Sequence, residues 1–207
     1  MNIARILFPI KVLGPGNRVG IWTCGCNHHC EGCSNPELWT FQSKYEINVE
    51  NIIELIDRQL HGKQIDGFVI TGGDPFLQAG ELYQLLLKLK RYADDLLVYT
   101  GYTLEELLAS DDQFVSACLK EISVLIDGKY IQDLNDGSFL RGSSNQRIIY
   151  LDESKRKKYE EYNSQQGENR IQNFITSDGV ISVGIHKLGF QEELPDMAAR
   201  KGVIIRG

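Results

Sequence analysis

The apolar residues of this sequence fall into two patterns that alternate along the chain. Short continuous runs predict buried strands, and they cover residues 19–23, 67–71, 96–100, 122–126 and 147–151. Between these runs, apolar residues recur three or four positions apart and predict helices. One helix follows the capping residue Asn48, a second covers about residues 79–92, and a third follows Thr103, which is predicted to form a capping box with Glu106. Strands that alternate with helices in this way predict an α/β fold with a parallel sheet or an open βα barrel.

Polar or cysteine-rich segments directly follow four of the predicted strands. These segments are residues 24–33, Gly72-Gly73-Asp74, Thr100-Gly101 and Asp127-Gly128. In parallel α/β folds, the functional groups lie just beyond the carboxyl ends of the strands. We therefore expect the functional site of this protein at that end of the sheet.

The composition of the 207-residue chain is that of one globular domain, or of one domain with an appendage. A formal net charge of −6 and a pI of about 5.3 argue against a dedicated nucleic-acid-binding protein, which would carry an excess of Lys and Arg. No apolar run approaches the ~20 residues of a membrane-spanning helix, so no membrane role is expected. The first residues lack the features of a signal peptide, and we expect the protein in the cytoplasm.

The cysteines carry the strongest chemical signal. The chain has five, and four of them lie within the ten residues 24–33. In a reducing compartment, such crowding indicates metal binding or catalysis rather than a disulfide framework. Cys26, Cys30 and Cys33 have the spacing C-x3-C-x2-C, so that three thiolates on one loop can bind three irons of a [4Fe–4S] cluster. The fourth iron would then stay open to a small molecule.

Other interpretations of these residues stay open on the sequence alone. A zinc ion bound by all four clustered cysteines is one, although C-x-C-x3-C-x2-C lacks the paired C-x2-C spacing of most zinc sites. His28 and His29 are interpreted as loop or supporting groups rather than as ligands. Cys24 shares strand parity with Trp22 and is expected to lie buried beneath the loop. Cys118 is expected to lie on a helix, with its side chain in the apolar core of the protein.

The character of the sequence changes after about residue 152. This change predicts three segments. Residues 1–152 form the core, residues 153–170 form a charged linker or helix, and residues 171–207 form a C-terminal extension. Within the extension, Phe174-Ile175-Thr176 and residues 180–183 flank Ser177-Asp178-Gly179, and this pattern predicts a β-hairpin.

The assembled motifs resemble the radical S-adenosylmethionine (radical SAM) superfamily, and within it the activating enzymes of anaerobic (class III) ribonucleotide reductases. Six motifs carry the resemblance in order over about residues 1–150: Gly14-Pro15-Gly16-Asn17-Arg18; Gly25 to Cys33; Gly72-Gly73-Asp74-Pro75; Thr100-Gly101-Tyr102 with Glu105-Glu106-Leu107; Asp127-Gly128-Lys129-Tyr130 with Gln132; and Arg141-Gly142-Ser143-Ser144-Asn145-Gln146. One cysteine triplet is moderately specific, whereas six motifs in order are strongly so. The resemblance implies a partial, open βα barrel of the radical SAM type with a small C-terminal extension.

The resemblance also implies an anaerobic oxidoreductase with two cofactors, a [4Fe–4S] cluster and S-adenosylmethionine (SAM). SAM would chelate the open iron through its amino and carboxylate groups, and an electron from the reduced cluster would break its sulfonium C–S bond. The resulting 5'-deoxyadenosyl radical would take a hydrogen atom from a glycine of the partner, an anaerobic ribonucleotide reductase, and leave a glycyl radical there. An electron donor such as flavodoxin or ferredoxin is implied as a further partner.

Site residues are assigned by the same resemblance, and no catalytic side chain is among them. The metal ligands would be Cys26, Cys30 and Cys33. The cofactor-binding residues would be Gly72, Gly73, Asp74, Thr100 and Asp127. The two glycines let the main chain approach the methionine part of SAM, and Asp74 offers an acceptor to its ammonium group. The alternatives are an ordinary turn at residues 72–75 and strand capping by Thr100 and Asp127.

Two features depart from the general superfamily pattern. Gly32 stands where many radical SAM proteins place an aromatic residue, which is similar to the reductase activases, and residues 151–207 extend beyond the compact activase pattern. The extension keeps two other functions open. One is a radical SAM enzyme that acts on a peptide or small metabolite, and the other is a non-catalytic iron–sulfur or zinc-binding protein.

Overall fold

In the computed structural model, which describes residues 1–164, 171–176 and 179–190, six strands form one mixed sheet whose strand order follows the sequence. The strands are β1 (Ile3–Ile10), β2 (Arg18–Thr23), β3 (Gly67–Gly72), β4 (Leu96–Tyr99), β5 (Val124–Asp127) and β6 (Arg147–Tyr150). Strands β2 to β5 are parallel, whereas β1 and β6 pair antiparallel with their neighbours. The expected α/β class with a mostly parallel sheet is therefore confirmed.

Helices connect the parallel strands. They are α1 (Val49–Leu60), α2 (Ala79–Leu89), α3 (Leu104–Leu108) and α4 (Gln113–Glu121), and α5 (Arg156–Asn163) follows the sheet. The Asn48 side chain caps α1 by accepting a hydrogen bond from the main-chain N–H of Asn51 at 2.8 Å, and the predicted capping box at Thr103 is present. Helix α2 ends at Leu89 instead of near residue 92, because the chain turns over residues 90–92 toward β4.

Strand β1 was not predicted from the sequence. It lies at the edge of the sheet, and six of its eight residues are only partly buried. Pro9 within it cannot donate a ladder hydrogen bond, which an edge position tolerates. The sequence pattern did not predict this edge strand, because the strand contains a proline and its residues are only partly buried.

The two faces of the sheet bury separate apolar clusters, because successive side chains of a strand point to opposite faces. Helices α1, α2 and α4 cover the face that carries Ile21, Phe68 and Ile70. The opposite face carries Val69 and Leu97, and it is covered in part by residues that follow the sheet in the sequence. These are Tyr159 and Tyr162 of α5 and Val183.

Residues 24–33 are called the cysteine loop below. A buried ion pair fixes α5 to the end of the sheet opposite this loop. Arg18 is fully buried, and its guanidinium lies 2.8 Å from the Asp95 carboxylate. The same carboxylate accepts a hydrogen bond from the Tyr159 hydroxyl at 2.6 Å. Because a buried charge is costly unless it is paired, this arrangement holds α5 firmly to the start of β2.

Strands β7 (Gln172–Thr176) and β8 (Gly179–Val183) pair antiparallel in a separate two-stranded sheet. The expected turn residues Ser177 and Asp178, residues 165–170 of the linker, and residues 191–207 of the extension lie outside the described residues. Across the described ranges, no helix combines the length and apolar character required to cross a membrane.

Candidate functional site

A cavity lies at the carboxyl ends of the parallel strands, where the sequence predicted the site. It is lined by the three cysteines of the C-x3-C-x2-C triplet and by four of the five residues expected to bind a cofactor. These lining residues are Cys26, Cys30, Cys33, Gly72, Gly73, Asp74 and Thr100. Asp127 is not among the residues that line the cavity.

Main-chain hydrogen bonds join the turn after β3 to the end of β2 and to the cysteine loop. The N–H of Gly73 donates to the Thr23 carbonyl at 2.7 Å, and the N–H of Asp74 donates to the Gly25 carbonyl at 2.6 Å. A Cβ atom on Gly73 would lie 2.3 Å from that Gly25 oxygen, so only glycine permits this approach. The glycines of this turn thus bring two loops into direct contact.

The five cysteines are all free thiols, and their burial divides them. Cys24 is fully buried against apolar neighbours that include Trp22 and Leu38, as expected from its parity. Cys26, Cys30 and Cys33 are only partly buried and face the cavity. Burial raises the pKa of the Cys26 and Cys30 thiols, so metal binding would release protons from them.

Cys118 lies in α4 and is fully buried in the helix-covered core, as the sequence predicted. Burial raises the pKa of its thiol to about 12. This cysteine therefore stays protonated and apart from the cavity.

The position of Gly32 explains why no aromatic residue stands before the third cysteine. Gly32 has a positive φ of 69°, and a Cβ atom there would lie 1.9 Å from the side-chain oxygen of Gln132. Any larger side chain would displace Gln132, which itself lines the cavity.

Asp74 accepts hydrogen bonds from four protein groups, although its side chain was expected to face a ligand. One carboxylate oxygen, Oδ1, accepts from the N–H of Phe76 at 3.0 Å, and Oδ2 accepts from the N–H of Gly101 at 2.9 Å. The Thr100 hydroxyl lies within 3.0 Å of both oxygens. The fourth contact is 2.9 Å from Oδ2 to Nε2 of His28. The carboxylate therefore ties the cysteine loop to the ends of β3 and β4.

His28 is a site residue that the sequence analysis interpreted only as a loop or supporting group. Its ring packs edge-on against Tyr102, with 4.5 Å between the ring centroids, and a Cβ atom on Gly101 would lie 2.3 Å from the ring. His29, by contrast, packs against Trp39 and not against Asp74. The sequence offered no signal that separates these adjacent histidines.

The Asp127 carboxylate makes structural contacts beside the cavity. It accepts a hydrogen bond from the N–H of Leu104, the first residue of α3, at 2.8 Å and another from Nε of Arg147 at 3.0 Å. Arg147 also binds Glu105 at 2.6 Å, and this hydrogen bond lowers the pKa of Glu105 to about 2. The Asp127 carboxylate thus contacts both the start of α3 and Arg147. Thr100, in contrast, both lines the cavity and bonds to Asp74.

The donor set of the loop fits an iron–sulfur cluster, because Cys26, Cys30 and Cys33 are three free thiols that line one cavity. In the part of the chain that the structure describes, no group of three His, Cys, Asp or Glu side chains lies close enough to hold one metal ion. A cubane cluster needs no such group, because each thiolate binds a different iron atom.

Comparisons with known proteins agree with this site. A family model described as a 4Fe-4S single cluster domain matches residues 12–149. The chain is 36% identical over 154 residues to the anaerobic ribonucleoside-triphosphate reductase-activating protein of Salmonella typhi, a match that covers 70% of this chain and 96% of the relative. Proteins of the same description from Escherichia coli (strain K12) and Pasteurella multocida (strain Pm70) are 34% and 42% identical, over 70% and 72% of this chain and 96% and 97% of the relatives.

Proposed function

The chain belongs to the family of anaerobic ribonucleoside-triphosphate reductase-activating proteins, and we propose from this membership that it installs a glycyl radical on an anaerobic ribonucleotide reductase. It is a radical SAM oxidoreductase with a [4Fe–4S] cluster and SAM as cofactors. Together, these cofactors supply the reductive cleavage of SAM to a 5'-deoxyadenosyl radical, which takes a hydrogen atom from the target glycine.

We assign Cys26, Cys30 and Cys33 as the cluster ligands. The observation that carries this assignment is the division of the clustered cysteines, since these three thiols line the cavity while Cys24 is fully buried away from it. The hydrogen bonds between the cysteine loop and the turn at Gly73 support it, because they fix the loop at the edge of the cavity.

Gly72, Gly73, Asp74 and Thr100 are proposed to bind SAM. The two glycines expose main chain at the cavity, where a bound molecule can approach it closely. Asp74 would place a negative charge near the SAM ammonium group while it orients His28 and Thr100. For Asp127 we propose a positioning role instead of direct contact, because its carboxylate holds Arg147 and the start of α3.

Several finer features belong to the same proposal. The sheet and its helices would form a partial, open βα barrel of the radical SAM type over residues 1–152, followed by the linker at 153–170 and the extension at 171–207. Flavodoxin or ferredoxin would donate the electron. Neither nucleic acid nor membrane would be a partner, and crowded free thiols suit the reducing cytoplasm.

An anaerobic assay with two readouts tests the proposed function. The reconstituted full chain is mixed with SAM and dithionite, with and without a purified anaerobic ribonucleotide reductase. We expect to detect 5'-deoxyadenosine by mass spectrometry. We expect a glycyl radical signal by electron paramagnetic resonance only when the reductase is present. A Cys118→Ala variant serves as a thiol control, because Cys118 lies outside the site. Cleavage of SAM without any radical on the reductase would show that the substrate is a different molecule, and no cleavage would refute the enzyme assignment.

A further inference from the structure

One histidine of the cysteine loop, His28, is held inside the site. It lies between two of the assigned cluster ligands, Cys26 and Cys30, and it lines the cavity. Its side chain is only 7% exposed. The adjacent His29 is exposed, packs against Trp39 and is not among the residues that line the cavity. Two neighbouring residues of the same type therefore have different surroundings in one loop.

The His28 ring is joined to Asp74 by a hydrogen bond. Its Nε2 atom lies 2.9 Å from Oδ2 of this carboxylate, whose side chain is 1% exposed. An ionised carboxylate only accepts hydrogen bonds, so Nε2 carries the hydrogen and donates it. Two main-chain N–H groups and the Thr100 hydroxyl hold the same carboxylate at the ends of β3 and β4. Among these four donors, His28 is the one that belongs to the cysteine loop.

Packing holds the ring in this position. It lies edge-on to Tyr102, with 4.5 Å between the ring centroids, and a Cβ atom on Gly101 would lie 2.3 Å from its Cδ2 atom. The ring therefore contacts residues that follow β4 while it bonds to a residue that follows β3. Through this one side chain, the cysteine loop is linked to both strand ends.

The His28 contact lies in the span of the loop that carries the thiols. Main-chain hydrogen bonds hold the start of the loop, where the N–H of Asp74 donates to the Gly25 carbonyl at 2.6 Å and the N–H of Cys26 donates to the Trp39 carbonyl at 2.8 Å. His28 adds a contact two residues after Cys26. It therefore holds the loop on the far side of that thiol.

The separation between the cysteine loop and the turn at residues 72–74 matters because one molecule must reach both. SAM held by that turn also has to meet the iron that the three thiolates leave open. A small displacement of one anchoring point relative to the other lowers the affinity for a molecule that uses both. A side chain that joins the loop to the turn's own carboxylate fixes this separation.

We propose that His28 is a positioning residue for SAM binding, because its hydrogen bond to Asp74 sets the distance between the cysteine loop and the turn that holds SAM. This inference rests on the proposed function and adds to it a residue that is neither an assigned cluster ligand nor a proposed SAM-binding residue. His28 acts through Asp74, and the three cysteines bind the cluster without it.

The test compares three variants of the full chain, each reconstituted without oxygen. His28→Asn carries an amide that is too short to reach the position of Nε2, whereas His28→Gln places an amide nitrogen near it. Both variants lose the ring, so the pair isolates the reach of the donor. His29→Asn is the matched control, since it is the same substitution at the next residue and Asn tolerates the positive φ of 47° there. Iron content is measured for each variant, and SAM affinity is measured by equilibrium dialysis without a reductant, so that no SAM is cleaved.

We expect His28→Asn to weaken SAM binding about tenfold, as for the loss of one hydrogen bond, and to keep the iron content of wild type. His28→Gln should recover most of this loss, and His29→Asn should match wild type. Any of three results would overturn the inference: unchanged SAM affinity in His28→Asn, an equal loss in His29→Asn, or a loss of iron that accompanies the weaker binding.

Measurements on wild type separate this inference from the proposed function. If wild type binds SAM but forms no glycyl radical on the reductase, the proposed substrate is wrong, and the affinities of the variants still decide the role of His28. If wild type binds no SAM, both proposals fail.

Discussion

Replacement of Asp74 by Asn tests whether this carboxylate holds the site together. Its Oδ1 accepts from the N–H of Phe76, and its Oδ2 accepts from the N–H of Gly101. An amide has one acceptor oxygen where the carboxylate has two. In either orientation, the NH2 group of Asp74→Asn therefore faces a main-chain N–H, and that donor loses its partner.

The magnitude follows from the burial of this carboxylate. Asp74 is 1% exposed, so water cannot replace the lost acceptor. A buried donor without a partner costs about 1–3 kcal/mol, and we expect the free energy of unfolding of Asp74→Asn to fall by that amount. The Thr100 hydroxyl limits the loss, because it can rotate to accept a hydrogen bond from the new amide.

The assay is equilibrium unfolding of the reduced, metal-free chain in guanidinium chloride, followed by tryptophan fluorescence. Asp112→Asn is the matched control. Asp112 caps α4 by accepting from the N–H of Phe114 at 2.8 Å, and Asn caps helices equally well, so this control should stay within about 0.5 kcal/mol of wild type. Equal stability of Asp74→Asn and the control would refute the inferred role of the carboxylate network.

Three further substitutions test other parts of the structure. Asp95→Asn leaves the buried charge of Arg18 unpaired and should cost about 3–5 kcal/mol at pH 7 in the same unfolding assay. Burial alone would raise the pKa of Asp95, but pairing with Arg18 lowers it below its ordinary 3.8. The difference in stability from wild type should therefore persist above pH 3.8 and shrink at lower pH. A difference that grew on acidification would contradict the assignment. Gly73→Ala places Cβ 2.3 Å from the Gly25 oxygen and should break the hydrogen bonds that the N–H groups of residues 73 and 74 donate to Thr23 and Gly25. We expect faster amide exchange at residues 73 and 74, and unchanged exchange would count against this contact. Thr103→Ala removes the cap of α3 and should cost about 1 kcal/mol in denaturant unfolding, and an unchanged midpoint would show that the cap contributes nothing.

Much of the sheet and its helices followed from local pattern alone. The buried strands β2 to β5 are continuous apolar runs, and α1 and α3 begin at side-chain caps that the sequence shows directly. Strand β1 escaped because its partly buried residues and Pro9 suit an edge strand, whose pattern is weaker. Local sequence therefore predicts the elements that are most buried.

The site was predictable in its position but not in its contacts. The cysteines and the turn at Gly72 meet at one cavity because parallel strands place their carboxyl ends together. The contact between His28 and Asp74 spans 46 residues, and residues 182–190 line the same cavity although they lie far from the cysteines in the sequence. Such contacts depend on how distant segments pack together, and local sequence patterns do not predict that packing.

The most direct test of the central claim is the iron content of single cysteine variants. Cys24→Ala, Cys26→Ala, Cys30→Ala and Cys33→Ala are reconstituted without oxygen, and iron, sulfide and visible absorption are measured for each. We predict about four irons per chain, with iron–sulfur absorption, in wild type and Cys24→Ala, and loss of the cluster in the other three. Loss of the cluster in Cys24→Ala, or one bound zinc ion in place of iron, would contradict a cluster held by Cys26, Cys30 and Cys33 alone.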